Sequence, residues 1–475
     1  AHKSAPQTIR RLTWSGDVKN CWADHHFVHF VRKLGNNDVI SDAQDVSIMG
    51  APGGLQSTLS GVNRIVQVLI IGQSVSLGAV QLPADLISTT PEDPTRLVMF
   101  GGGTRPMDAV LHELAPAYEL DYSPTVGTNE DQLYLPGETM DKLVGLKERF
   151  IGTVWGETPA AGLGRQLLAR LPSTTGILIS GHGVGGTPRA TYQRGTRMYD
   201  NMMRAVARGK AYATMLGFTH RVLAVYAVNG EESQLGTSVA TWRDGDVTFQ
   251  ANLDDDIKAI TGQPEEVPLV LSQIASWTTQ GAATSNIAQG QFEAARLDNT
   301  KIMLAGPRYS ETHTAADGIH LPADSSKVIG ERAGRLIAAF ELGTTPEIDM
   351  YCTSAVATGT TLVTTWSRDV VLRPDLITGL SAATLGCRVT VTSGSTPTLS
   401  NPVVFDDTIT WDLSVAVNAG TQNPKFCCAD FGTIGDQPGP TAGPRSTITG
   451  DSSDEGYDTR DLVYHADTHT IAITN

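Results

Sequence analysis

The chain has 475 residues, 40% apolar and 18% charged, with 50 acidic against 35 basic side chains and a formal net charge of −15. That balance excludes a nucleic-acid binder built on a basic face and a protein that docks on anionic lipid by charge. With 48 glycines and 24 prolines the chain does not read as a coiled coil, no apolar run reaches 18 residues so that no membrane-spanning helix is expected, and its length points to two or three globular domains.

The N-terminal stretch AHKSAPQTIRRLTW lacks the apolar core of a signal peptide, so the chain is expected either to be made without a leader or to have lost one before residue 1. Residues 1–60 form a segment of unclear role. They hold Trp14, Trp22 and the cluster His25, His26 and His29. No helical pattern continues around the histidines, so a small aromatic-packed segment is a simpler reading than a metal site. Residues 61–345 alternate strand and helix patterns. VQVLII (66–71) is a buried strand, and RLVMFG (96–101) is another. A helix over 157–171 precedes the strand 176–181, and a helix over 199–217 with Gly217 as its stop precedes the strand 221–228. A helix over 247–262, a strand over 268–275, a short helix opening at 292, a strand over 301–307 and a closing helix over 325–342 complete the region. Such alternation predicts a mostly parallel sheet covered on both faces, with ligands at the carboxyl ends of its strands. Residues 346–475 change to Thr, Ser, Val and Gly in short alternating runs, which predicts an all-β, sandwich-like domain with a carbohydrate-binding or assembly role. The five cysteines Cys21, Cys352, Cys387, Cys427 and Cys428 contain no CxxC pair, which argues against structural zinc and favours free thiols over disulfides.

Four strand ends each offer one part of a hydrolase. Gly72-Gln73-Ser74 follows the first strand, and HGVGGTP with Gly185 and Gly186 follows the strand 176–181. Asn229-Gly230-Glu231-Glu232-Ser233 follows the strand 221–228, and a loop with Asp317 and His320 follows the strand 301–307. A serine hydroxyl is a weak nucleophile until a base takes its proton. His320 is the candidate base, and Asp317, three residues before it, is placed to bond the far imidazole nitrogen. The oxyanion of a tetrahedral intermediate would find donors in the Ser74 N–H, the N–H of Gly185 or Gly186, and the Asn229 amide. Losing one such donor costs roughly 3–4 kcal/mol of transition-state stabilisation.

These stretches, GQSVSLG, GVGGTP, VNGEES and DGIHL, resemble in order the four blocks of the SGNH (GDSL-like) hydrolase superfamily. They are most similar to its GQS branch, the sialate O-acetylesterase and acetylxylan-esterase-like carbohydrate esterases. The resemblance covers about 65–345. It implies a flavodoxin-like three-layer α/β sandwich with Ser74 as nucleophile, Asp317 and His320 completing a triad, and an oxyanion hole of Ser74, Gly185 (Gly186 as alternate) and Asn229. The branch usually has Gln before Gly-Glu-Ser. This chain has Asn229, as in the wider superfamily, followed by a doubled glutamate in which Glu231 reads as a structural acceptor. Gln73, His182, Arg189 and Glu231 are candidates for substrate contact.

Simpler readings stand beside these. Ser74 alone would read as a helix N-cap, and His320 as a surface residue. His182 and His313 are rival bases without an acid at triad spacing. Arg105 and Arg189 could touch a sugar, and Asp254-Asp255-Asp256 reads as a solvated helix start. The function expected is a metal- and cofactor-independent serine esterase that removes O-acetyl groups from a carbohydrate. The expected setting is a bacterial surface polysaccharide met outside the cell by a phage tail or other virion protein, with possible homo-oligomer or virion assembly, or by a secreted esterase. The alternatives are a non-enzymatic structural or glycan-binding protein on an esterase scaffold, and a short-chain lipase or thioesterase.

Overall fold

The computed structural model describes residues 18–23, 27–34, 37–45, 57–101, 103–106, 140, 142–149, 156–234, 236–344, 350–450 and 465–475. The chain divides into two compact units, Ala1–Gly53 and Gly54–Asn475. In the first, the strands β1 (Val18–Ala23), β2 (Phe27–Leu34) and β3 (Asn37–Asp45) form an antiparallel sheet in that order. His29 lies on β2, while Trp14, His25 and His26 lie outside the described residues.

The second unit is built on β4 (Arg64–Gly72), in which every residue after Arg64 is buried. Continuous burial without alternation is what a strand covered on both faces requires. Around it stand β5 (Leu97–Phe100), β6 (Leu143–Gly145), β7 (Thr175–Gly181), β8 (Thr219–Val228), β9 (Leu269–Gln273) and β10 (Ile302–Pro307), in the order β10-β9-β8-β4-β7-β5-β6. All neighbours are parallel except β5 and β6. Apart from the β5–β6 edge, the order is that of a flavodoxin-like sheet, with the first strand flanked by the next two core strands, β7 and β8. Val66, Val68 and Ile70 face one apolar layer with Leu163, Leu167, Ile329 and Leu336, while Ile65, Leu69 and Ile71 face another with Met202, Val206, Leu253 and Ile257. The helices α1 (Ala160–Arg170) and α5 (Ala323–Glu341) thus cover one side, and α2 (Arg197–Leu216) and much of α3 (Val239–Thr261) the other. The arrangement is the expected three-layer sandwich.

Two helices begin more than a turn earlier than the sequence predicts. α3 starts at Val239 instead of 247, with the Ser238 hydroxyl capping Thr241 N–H at 3.1 Å; α4 (Asn286–Leu297) starts six residues before 292, with Ser285 capping Ala288 N–H at 3.0 Å. Gly245 and Gly290, inside these helices, are contact positions: a Cβ on Gly245 would lie 1.8 Å from the Arg189 guanidinium, and one on Gly290 would lie 2.8 Å from Trp242 Cβ. The aspartate run is likewise inside α3 and not at a solvated start. Asp254 accepts from Val267 N–H at 2.8 Å, and Asp256 accepts from Arg194 at 2.7 and 2.8 Å.

The C-terminal region is built of strands, as expected. β11 (Cys352–Thr358), β12 (Thr361–Trp366), β14 (Cys387–Thr390), β15 (Leu399–Phe405), β16 (Thr408–Leu413), β17 (Lys425–Cys428) and β19 (His469–Thr474) form one sheet in the order β14-β17-β19-β11-β12-β16-β15. β13 (Val370–Leu372) and β18 (Ile448–Gly450) pair as a ribbon beside it. The rings of Trp411 on β16 and Phe426 on β17 lie 6.1 Å apart although their strands are separated by three others, so the sheet curls around its own apolar face. Both Trp366 and Trp411 donate their indole N–H to the buried Thr364 hydroxyl, at 3.2 and 3.1 Å. The amides of Gln273 and Gln289 reach the C-terminal chain from the α/β layers and satisfy its backbone at Thr468, just before β19 (2.7 and 2.8 Å), and at Thr470 within it (2.8 and 3.2 Å). The cysteines Cys352, Cys387, Cys427 and Cys428 are buried free thiols. Among the described residues no helix is long and apolar enough to cross a membrane.

Candidate active site

Gly72 ends β4 with φ +150°, and a Cβ there would meet the Val228 carbonyl oxygen at 2.0 Å. Only glycine therefore lets β4 and β8 pair to their last residues, Gly72 opposite Val228. The chain then enters a one-turn 3₁₀ helix, Ser74–Leu77. Ser76 ties it down by donating its N–H and its hydroxyl to Gln73 O, at 2.8 and 2.6 Å. Ser74 is thus the first residue of a rigid turn at the carboxyl end of the central strand, with its side chain partly exposed. This is the point where the sheet order reverses and open α/β sheets have a crevice.

The loop after β10 supplies the partners of Ser74. The Ser74 Oγ lies 2.7 Å from His320 Nε2, and His320 Nδ1 lies 2.6 Å from Asp317 Oδ2. The spacing works because Asp317 folds back over its own turn: its Oδ1 accepts from Ile319 N–H (2.8 Å), His320 N–H (3.1 Å) and the Thr314 hydroxyl (2.8 Å). Partial burial alone would raise its pKa. The bonds from the Ile319 and His320 N–H groups and from the imidazole outweigh that and hold it at about 2. The carboxylate is therefore ionised wherever the imidazole needs orienting.

The other two strand ends close in on the same turn. Val184 N–H donates to Gly72 O at 2.9 Å, and a Cβ on Gly183 would lie 2.2 Å from the Ser76 hydroxyl, so the β7 loop lies directly against the nucleophile turn. Gly185, partly exposed, and Gly186, exposed with φ +65°, form the bend that follows. Asn229 is the residue after Val228 and is buried. Among the described residues, no hydrogen bond within the protein uses the Ser74 N–H, the Gly185 N–H or the Asn229 side-chain amide.

The remaining candidates face inward. Gln73 is buried, and its Oε1 accepts from Glu232 N–H at 3.4 Å. His182 is enclosed, with Nε2 at 2.9 Å from the Ser180 hydroxyl and Nδ1 at 3.0 Å from Asn201 Nδ2. The Asn201 NH₂ group can only donate, so Nδ1 accepts and Nε2 carries the proton. Burial pushes this imidazole down to about 3. His182 is a neutral structural group in this position and not a pocket wall. Arg189 donates to Trp242 O (2.7 Å), Thr241 O (3.1 Å) and Asp246 (3.2 Å), and Arg105 to Leu77 O (2.7 Å) and Gly156 O (3.3 Å). His313 is buried against Glu311 O at 3.1 Å and is held at about 3 by burial and by the charge of Arg308. Glu231 is ion-paired with Arg308, and both are buried. That pair joins the loop after β8 to the loop after β10. Arg308 carries no local sequence signal: it matters through Glu231, a partner that only the fold supplies.

No family model matches the chain, and no curated protein matches it in sequence. Among solved structures, a carbohydrate acetylesterase from Xanthomonas citri is similar with a TM-score of 0.51 at 12% identity, covering 85% of this chain and 80% of that one. A protein from Arabidopsis thaliana (TM-score 0.36, 14% identity) covers 59% of this chain and 99% of its own, and a carbohydrate acetylesterase from Sinorhizobium meliloti (TM-score 0.28, 13% identity) covers 58% and 98%. The Xanthomonas similarity takes in more than the α/β layers could supply alone. The chain has an SGNH-hydrolase-like fold.

Proposed function

We propose that the chain is a serine esterase that removes O-acetyl groups from a carbohydrate. The observation that carries this reading is the unbroken chain of short contacts from Ser74 through His320 to Asp317, at 2.7 and 2.6 Å, on the carboxyl rim of the sheet. Ser74 Oγ attacks the acetyl carbonyl carbon while His320 Nε2 takes its proton, and Asp317 holds the imidazole with Nδ1–H toward the carboxylate. The oxyanion formed is received by the three free donors, Ser74 N–H, Gly185 N–H and the Asn229 amide. Collapse breaks the bond to the sugar oxygen, which leaves with the proton from His320. Water, deprotonated by the same nitrogen, then releases acetate from acetyl-Ser74. The acetyl group and the carbohydrate are supported by the resemblance of the four blocks to carbohydrate esterases and by the nature of the similar solved structures.

Ser74→Ala tests the reading. It is expected to abolish hydrolysis of 4-nitrophenyl acetate with an unchanged melting transition, and to abolish labelling by a fluorophosphonate probe that modifies the parent protein at Ser74. Wild-type turnover in that variant would sink the assignment. The expected setting, a polysaccharide on a bacterial surface met by a virion-borne or secreted enzyme, belongs to the same proposal. Release of acetate from intact bacterial capsules tests it.

A further inference from the structure

The loop that joins β17 to β18 lies far from the triad in sequence but beside it in the fold. Gly432 N–H donates to Ala283 O (3.0 Å), Gly435 N–H to Thr278 O (2.9 Å) and the Thr278 hydroxyl to Asp436 O (2.6 Å). Gln437 Nε2 donates to Ala315 O at 3.2 Å, two residues before Asp317. Gly318, the residue after Asp317, has space for hydrogen alone: a Cβ would lie 2.7 Å from Thr279 Cγ2 and 2.9 Å from Gln437 Cγ. The turn that holds the triad acid is therefore built against this loop.

The same loop exposes two large apolar side chains, Phe431 (51%) and Ile434 (58%), among the exposed polar residues Thr433, Asp436 and Gln437. The Phe431 ring is held in place. The Arg388 guanidinium lies 4.5 Å from its centroid and is itself gripped by Asp430 through two bonds of 3.0 and 2.8 Å. A ring fixed on one side by a cation and open on the other is a preorganised platform. Its partner must offer weakly positive C–H surface bordered by hydroxyls, since aromatic faces attract positive edges and the polar neighbours can bond hydroxyl groups. A pyranose ring has that surface.

We propose that Phe431 and Ile434 form a saccharide-binding rim that receives sugar rings next to the acetylated one, so that the substrate is an oligomer or polymer and not a free monosaccharide. The proposal rests on the esterase reading above. An acetyl group gives the triad one carbonyl and one methyl; the rest of a glycan ester lies outside the turn, where a rim can select it.

The test compares wild type with Phe431→Ala/Ile434→Ser on 4-nitrophenyl acetate and on partially acetylated xylo- and chito-oligosaccharides of one to six rings. Both proteins should hydrolyse 4-nitrophenyl acetate alike. Wild-type KM should fall as rings are added, and the double variant should lose that gain by about tenfold, the effect of roughly 1.4 kcal/mol, with kcat kept. Wild type that cleaves 4-nitrophenyl acetate but gains nothing from added rings overturns the rim and leaves the esterase standing. So does a double variant with an unchanged ring-number dependence. A wild-type dimer that the double variant turns into monomers assigns the patch to a second copy of the chain and also overturns the rim. Failure on 4-nitrophenyl acetate by wild type itself defeats the esterase reading instead. Because both side chains are exposed, a melting curve that matches wild type is expected, and Ile434→Ser alone serves as the second variant.

Discussion

Replacing Asp317 by Asn separates orientation from stability. Three donors converge on Oδ1, so the Asn carbonyl oxygen must occupy that position and its NH₂ must face the imidazole. That NH₂ cannot accept, so His320 is forced into the tautomer with its proton on Nε2, facing Ser74 Oγ, where it cannot serve as base. A wrong-tautomer triad loses about 10⁴ in kcat, or about 5.5 kcal/mol at roughly 1.36 kcal/mol per tenfold. The stability change is far smaller. The carboxyl is held at about 2 instead of 3.8, which corresponds to about 2 kcal/mol, and solvent screening at a side chain 28% exposed reduces this to about 1 kcal/mol. Because the folded-state pKa is lowered, this stabilisation is present above the unfolded value near 3.8 and is lost as pH falls through about 2. Hydrolysis of 4-nitrophenyl acetate and urea denaturation measure the two effects. A variant that keeps more than about a tenth of wild-type kcat refutes the tautomer argument. A stability gap that does not narrow as pH falls from about 4 toward 2 refutes the account of the carboxylate.

Buried charges outside the triad give two further predictions. Arg308→Met leaves the Glu231 carboxylate buried without its partner and should cost about 3–5 kcal/mol in urea denaturation, with part of the loss restored by adding Glu231→Gln. Glu148 is pushed up to about 7 by burial first and by the neighbouring Glu157 second, so the folded state holds a proton that the unfolded chain releases above about 4.5. Wild-type stability should therefore decline as pH rises from about 4.5 through about 7, and Glu148→Gln should flatten that decline and melt higher than wild type above it.

What the sequence reveals of this site follows from where its signals are local. Val66–Ile71 is apolar apart from Gln67 and does not alternate, as a strand covered on both faces requires; the GQS turn, the Gly-Gly bend and Asn229 sit just past such strands, and the DxxH pair lies in the loop that follows another. The Asp317 turn is also a local device, since its acceptor, donors and imidazole all fall within Thr314–His320. The starts of α3 and α4 are hidden because Gly245 and Gly290 stand inside them. Their reason is a neighbour, the Arg189 guanidinium in one case and Trp242 in the other. His182 is the same problem reversed. It stands next to the Gly-rich bend, yet Asn201 and Ser180 draw its ring into the interior, and only the fold brings Asn201 to it.

The two halves of the second unit meet through polar groups that would be costly to strip. Gln273 and Gln289 each give a donor and an acceptor to the chain at the start of β19, as an adjacent strand would, and the Tyr309 hydroxyl donates to Ala466 O just before it at 2.6 Å. Buried amides left without these partners lose roughly 1–3 kcal/mol apiece. Tyr309 belongs to the same loop as Arg308, Glu311 and the triad acid, so β19 and the loop after β10 are anchored to one another. The C-terminal strands therefore hold the base of the loop that carries Asp317 and His320 as well as its rim. A sheet that ended at α5 would keep every residue of the triad and the Glu231–Arg308 pair, and would lose the second anchor of the loop that carries His320.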